Sequence, residues 1–326
     1  MKTLTFHIII IITFFSASAC DRFDMYTLAS SGPRMIYAMS YNGSEAVLVA
    51  ANLNDYYHEY PLTSFTPDSV AASGNGRVVA RDTVSQYHSH NSSGFQHNWS
   101  LTAVAPGTFK DIEGTEKDIY YLNDSAELWR FSNDTFDWVD LVSLTVPGDP
   151  IALDYNRSDN ILSIISLTPG SAVYCHRLNS DGTVTELLNQ STGLTTPDFA
   201  ARAGSTVYLG VSTGIFRIYD SSGETNTTGL PEEYTFTVLG QGRALAVEDC
   251  CGTVSILRLN GTAWNPAITI GTGVSPVIHA EPIDRSRIAI GINDTDPDLS
   301  GLYIYNMDSG KLSRISPIRV RALTTF

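Results

Sequence analysis

Nine polar side chains recur at comparable places along this chain, each in or beside a short apolar run: Tyr37, Asp111, Glu113, Asp154, Asp198, Arg202, Glu248, His279 and Glu281. Their types divide by chemistry. A phenol, a guanidinium and an imidazole can donate hydrogen bonds to an oxygen that gains charge, so Tyr37, Arg202 and His279 are the candidates for catalysis. Carboxylates accept hydrogen bonds from hydroxyls and amines, so Asp111, Asp154, Asp198 and Glu281 are the candidates for holding a substrate. Each of the nine could instead satisfy a buried backbone group or tie neighbouring strands together.

Other clusters point less firmly to chemistry. Tyr87 to Trp99 holds three of the seven histidines, with His88 and His90 spaced to share one face of a strand as metal ligands do. Asn91 and Asn98 open glycosylation triplets inside the same stretch. Glycans need solvent, so a glycosylated loop or edge strand is expected. Asp294, Asp296 and Asp298 follow the first ligands of a calcium loop, but Leu299 replaces its glycine and Tyr305 its glutamate. A polar hairpin turn is expected there. The aromatic runs Tyr56 to Tyr60 and Phe131 to Trp138 are expected to pack between sheets. There is no Gly-x-Ser-x-Gly elbow, phosphate loop, dinucleotide fingerprint or HExxH. Hydrolase, kinase and dehydrogenase readings therefore lack support, and the expected activity is a cofactor-free one that needs no metal.

The elements that must position these groups are short strands. Amphipathic helical periodicity is missing, and β-rich runs of alternating polarity recur between Gly, Asn, Asp, Ser and Pro. Sets of such runs begin near Ile36, Val70, Ile112, Ala152, Ala200, Leu245 and Ile278, spaced by 34, 42, 40, 48, 45 and 33 residues. Four strands at a period near 40 describe a β-propeller blade. Seven starts predict seven blades; the two short spacings leave six open, and an all-β sandwich pair is the competing architecture. In a propeller the first strand of each set lines the channel, where ligands bind, so the polar residues above gather at one mouth. The terminal run Ile318 to Thr325 is expected to close the ring, on the first blade or on Asp24 to Ala29. Residues 20–326 read as one domain.

The compartment is written in asparagines. Ten of seventeen begin Asn-x-Ser/Thr triplets: Asn42, Asn91, Asn98, Asn123, Asn133, Asn156, Asn189, Asn226, Asn260 and Asn293. Residues 1–19 read as a signal peptide, with Lys2, an apolar core from Ile8 to Phe15 and Ala17-Ser18-Ala19 at the cleavage site. That core is too short to span a bilayer, and no later stretch approaches the required length. A secreted or lumenal glycoprotein is expected; a bacterial lipoprotein cysteine at Cys20 is the rival reading. Oxidising surroundings would pair Cys20, Cys175, Cys250 and Cys251. Either adjacent Cys250 and Cys251 join each other, or one reaches Cys175 and the other Cys20, the less strained arrangement. A net charge of −14 disfavours nucleic acid and anionic membranes as partners. None of the ten triplets falls on an expected inner strand. Asn42 and Asn156 follow first strands and Asn133, Asn226 and Asn260 third strands, on one face, against Asn123, Asn189 and Asn293 on the other, so the less glycosylated face is expected to carry the working mouth.

A signal peptide, a single propeller-length chain and dense triplets give a layout that resembles secreted fungal propellers, the hetero-Diels–Alderases of tropolone-sesquiterpenoid pathways. The resemblance implies a small apolar ligand and a cycloaddition between an o-quinone methide and a macrocyclic terpene alkene. It implies a shaped apolar pocket with a hydrogen-bond donor on the quinone-methide oxygen. It rests on layout, so no catalytic residue carries over. Ser171 to Leu178 and Asn260 to Asn265 also look like the strand-then-Trp pattern of six-bladed fucose-binding lectins, although that set recurs in no other blade. A glycan-binding propeller or a non-catalytic extracellular module are the alternatives.

Overall fold

The computed structural model describes residues 35–326 apart from 42–44, 54–56, 64, 85–86, 92–98, 103–106, 133–136, 158, 231–232, 249–252 and 275. Twenty-eight strands, β1 to β28, form seven four-stranded antiparallel sheets, and no helix occurs among the described residues. This is a seven-bladed propeller.

Blade 1 is assembled from both ends of the fold. β28 (Val320–Thr325) pairs with β1 (Ile36–Tyr41), and the sheet runs β28-β1-β2-β3. The terminal run therefore closes the ring on the first blade, with Met35 and Phe326 exchanging backbone hydrogen bonds at 2.5 and 2.7 Å. The inner strands are then β28, β4 (Pro67–Ala72), β8 (Phe109–Gly114), β12 (Asp149–Asn156), β16 (Phe199–Ala203), β20 (Tyr234–Gly240) and β24 (Val277–Pro282). Each touches the next around the circle, and β24 meets β28.

The runs near Val70, Ile112, Ala152, Ala200 and Ile278 lie on inner strands, as their spacing predicts. Two do not. Ile36 lies on β1 and Leu245 on β21 (Arg243–Glu248), both second strands of their blades. This shift accounts for the two short spacings, because a start taken one strand late shortens the interval after it.

The core is divided among the seams. Seven apolar clusters each join one blade to the next. Successive residues of a strand face opposite ways, so each sheet supplies side chains to both neighbours. The aromatics follow this plan. Phe131 and Trp138 of blade 3 meet edge-to-face, with ring centres 5.5 Å apart. Tyr87 of blade 2 packs on the same indole at 5.5 Å. His88 packs edge-on against Phe65, with ring centres 4.7 Å apart, while His90 and the 92–98 stretch lie outside what is described. Asp294 is buried, and its carboxylate accepts the Asp296 and Val274 amides. The aspartates thus build a turn, as the sequence predicts. No helix is long and apolar enough to cross a membrane among the described residues.

Candidate functional site: the central channel

The seven inner strands enclose one channel of about 930 Å³. Asp111, Glu113, Asp154, Asp198, Arg202, His279 and Glu281 all line it. Two expected members are elsewhere. Tyr37 is buried in the seam between blades 1 and 2, among Met39, Leu48 and Val78. Glu248 ends β21, outside the channel wall. Both departures follow from the shift of inner strand in blades 1 and 6.

Four carboxylates gather inside. Asp111 and Glu113 come from β8, Asp154 from β12 and Glu281 from β24. Two of them also hold the ring together. Asp111 accepts the Leu153 amide of the next inner strand at 2.7 Å and the Ile112 amide at 2.8 Å. Asp154 accepts the Arg202 amide of β16 at 3.1 Å. Thr235 and Thr325 make matching links, donating to the carbonyls of Ile278 and Pro282 at 3.3 and 2.7 Å. The alternative structural role thus applies to Asp111 and Asp154 in full. Glu113 and Glu281 are different: they accept no hydrogen bond from the described residues and are half-buried in the channel wall.

Burial and mutual repulsion keep these acids partly protonated. Burial lifts Asp111 to about 6 against the two amides that favour its charge. It lifts Asp154 to about 7 against the Arg202 amide and guanidinium. Glu281 is pushed up to about 8, first by burial and then by Asp111 and Asp154. Glu113 stands well above the usual carboxylate range, from burial and then from Asp111, Glu281 and Asp154. Arg157, just beyond β12, partly offsets the charge on both glutamates. His279 has its Nε2 buried with no hydrogen-bond partner among the described residues, and burial lowers its pKa. No group of three His, Cys, Asp or Glu is arranged to hold a metal ion among the described residues.

Arg202 is committed to structure. Its guanidinium forks onto Asp159 with both contacts at 2.9 Å, and its Nε donates to Ser163 Oγ at 2.6 Å. Its Nη1 also donates to the Gly204 carbonyl at 2.5 Å, so four of its five donors serve the fold. Asp198 is exposed at the rim, where one carboxylate oxygen accepts the Ser212 amide and hydroxyl at 2.9 and 2.7 Å. Arg157 also lines the channel, and its place inside the Asn156 triplet gives no sequence signal of that role.

The cysteine pairing is corrected at one position. Cys175 on β14 (Ala172–Leu178) is a free, buried thiol, pushed up to about 12 by burial. Cys20, Cys250 and Cys251 lie outside the described residues. Among the triplet asparagines, Asn189, Asn226 and Asn260 are exposed, and Asn293 is half-buried. Asn123 is buried, with Nδ2 donating to Glu127 at 2.7 Å. Asn156 ends the inner strand β12 and donates to the Arg202 carbonyl at 3.3 Å, so one triplet does reach the channel wall. Asn42, Asn98 and Asn133 lie outside the described residues, as does the side chain of Asn91. Asn226 ends β19 (Gly223–Asn226), a fourth strand and not a third, and so lies at the other face from the one expected. Asn156 and Asn260 end first and third strands, whereas Asn123 and Asn293 end second strands, at opposite faces of the ring.

No protein-family model matches the chain, and no curated protein matches it by sequence. Solved structures match it by shape. A functionally unknown protein from Desulfotomaculum acetoxidans aligns with a TM-score of 0.60 at 11% identity, over 88% of this chain and 97% of that one. Apo AztD from Citrobacter koseri aligns at 0.58 and 9% identity, over 90% and 98%. The WD40 propeller domain of Doa1 aligns at 0.56 and 10% identity, over 85% of each. At such identities the likeness is one of fold, and it supports the seven-bladed propeller.

Proposed function

We propose that this propeller is a binding protein for a small organic cation, held in the central channel by Glu113 and Glu281. One observation carries the reading. Two carboxylates without hydrogen-bond donors share an enclosed channel with two more, and their charges repel. A bound ammonium group relieves that repulsion and supplies the missing donors. The small apolar ligand expected from the sequence fits such a wall poorly, because burying an ionised carboxylate against hydrocarbon is costly. A second reading, the cofactor-free hetero-Diels–Alder cyclisation, is favoured by His279 alone. Its unpartnered Nε2 offers the hydrogen bond that a quinone-methide oxygen would need. The compartment proposed with either reading is the secretory pathway, supported by the ten triplets and the apolar leader-like segment.

Calorimetry with spermidine at pH 8 tests the binding reading on the purified full chain. Saturable binding at one site is expected, and each of Glu113→Gln and Glu281→Gln should weaken it about tenfold, or about 1.4 kcal/mol. A wild-type protein that ignores spermidine but takes a neutral oligosaccharide, or converts a quinone methide and an alkene, would sink the cation reading. Glycopeptide mass spectrometry of protein from a eukaryotic secretory host tests the compartment. Occupied Asn189, Asn226 and Asn260 are expected, with Asn123 unmodified because its Nδ2 is buried on Glu127. A chain retained in the cytosol without glycans would overturn it.

A further inference from the structure

Blades 1 and 4 stand three places apart in the ring, with blades 2 and 3 between them. A bond between their inner strands must therefore cross the channel mouth, and one does. Arg157, just past β12 of blade 4, donates from Nη2 to the carbonyl of Thr325 on β28 at 2.5 Å. Its guanidinium lies over the ring of Phe326, 4.3 Å from the ring centre. Phe326 in turn stacks on Tyr155 of blade 4, with ring centres 6.3 Å apart and planes 11° from parallel. Both partners are anchored. The backbone of Phe326 is locked to Met35, and the Tyr155 hydroxyl donates to Asn160 at 2.7 Å. The ring also leans on blade 2, where a Cβ at Gly74 would meet Phe326 Cε1 at 2.5 Å. The same Cβ would meet the carboxylate of Glu116 at 2.7 Å, so the turns of blades 2 and 3 close in beneath it.

We propose that Arg157 and Phe326 form a bolt across this mouth that sets the size of the molecule reaching the channel acids. The proposal rests on the cation-binding reading for its purpose, though the bolt itself stands on geometry. The bolt covers the half of the mouth over blades 2 to 4. The other half, over blades 5 to 7, is walled by Gly204, Gln241, Arg243, Asp284 and Arg285. What passes must fit that crescent. Arg157 also connects the bolt to the acids, since its charge offsets those of Glu113 and Glu281. A molecule that frees Arg157 from Thr325 must take over that compensation, which a cation does and a neutral molecule does not. Arg157 is therefore a positioning and selecting residue.

Thiol labelling tests the bolt without needing any ligand. A reporter thiol is introduced by Glu281→Cys in the full chain. Its alkylation by cationic methanethiosulfonates of increasing bulk is timed, and the rate of the parent protein is subtracted. With the bolt intact, the rate should fall steeply with reagent size. In the Phe326→Ala background the bulky reagent should react several-fold faster and the smallest one nearly unchanged. Phe326→Leu, which keeps an apolar side chain on Tyr155, should lie between the two and guards against a misfolded alanine variant. Equal rates for every reagent size with and without Phe326 would overturn the bolt. If wild-type protein fails to bind spermidine while labelling still depends on Phe326, the cation reading falls and the bolt stands.

Discussion

At the scale of single residues, one side-chain type serves two ends in this channel. Asp111 and Asp154 stitch neighbouring inner strands through backbone amides, while Glu113 and Glu281 reach past those amides into the lumen. One methylene separates the two behaviours: the shorter acid bonds the adjacent strand and the longer one does not. Arg202 belongs with the stitches. Its side chain is 2% exposed, and it holds Asp159 and Ser163 together. Arg202→Ala leaves both without their partner and should cost about 3 kcal/mol in urea-induced unfolding, at the low end for a broken buried pair because Asp159 retains some solvent. Arg202→Lys keeps the charge but loses the planar fork, and should recover only part of that. An alanine variant as stable as the parent would show that the fork onto Asp159 and Ser163 adds nothing to the fold. The sequence placed most of these residues on the channel because polar groups inside apolar runs stand out. It could not tell stitch from ligand contact, since that depends on which amide of another blade lies within reach.

At the scale of elements, the blade pattern is readable where a turn is followed by a small aliphatic inner strand and fails where the inner strand has another composition or another place in the chain. β12 follows Pro147 and Gly148, and the period finds it. β20 follows Gly229 and Pro231, so punctuation is present there too, but it carries Tyr234 and Phe236 in place of small aliphatic residues, and Leu245 on the next strand stands in for it. β28 is separated from its blade by nearly the whole chain, and no local signal reveals that it precedes β1 in the sheet. The inner strands also approach more closely than side-chain patterns disclose. Gly114 ends β8 against Ala72 at the end of β4, and a Cβ there would overlap the Ala72 carbonyl oxygen. Backbone cannot yield as a flexible side chain does. Gly114→Ala should therefore destabilise the fold by about 2–3 kcal/mol despite adding one methyl group. Gly182→Ala offers the comparison: nothing lies within 4 Å of its Cβ, and its cost should come from its positive φ of 83° alone. Equal chevron-derived stabilities for Gly114→Ala and the parent would show that β4 and β8 are not pressed together as described.

At the scale of the whole molecule, the ring forces charges together that the sequence spreads out. Asp111, Glu113, Asp154 and Glu281 come from three blades, and only closure brings them into one lumen. The consequence is a pH dependence whose sign can be worked out. Unfolded carboxylates titrate near 4, whereas folded Asp154 and Glu281 titrate at about 7 and about 8, with Glu113 well above the usual range. Between the unfolded and folded values the native chain binds more protons than the unfolded one, so stability falls as pH rises. Half-buried His88 and His279 and buried His176 act oppositely, since burial lowers their pKa and stability grows with pH until the unfolded imidazole, of pKa about 6.5, is fully deprotonated about one unit higher. Above that point the histidines no longer contribute. From about pH 7.5 to 8.5 the glutamates act with the histidines spent, and the melting temperature should decline. Each unit of pKa displacement still titrating there is worth about 1.4 kcal/mol, so replacing one charge should be visible. Glu281→Gln should flatten the decline, and saturating spermidine should oppose it by stabilising the ionised lumen. Stability that rises steadily from pH 7.5 to 8.5, in both wild type and Glu281→Gln, would mean that the four acids do not share one enclosed field.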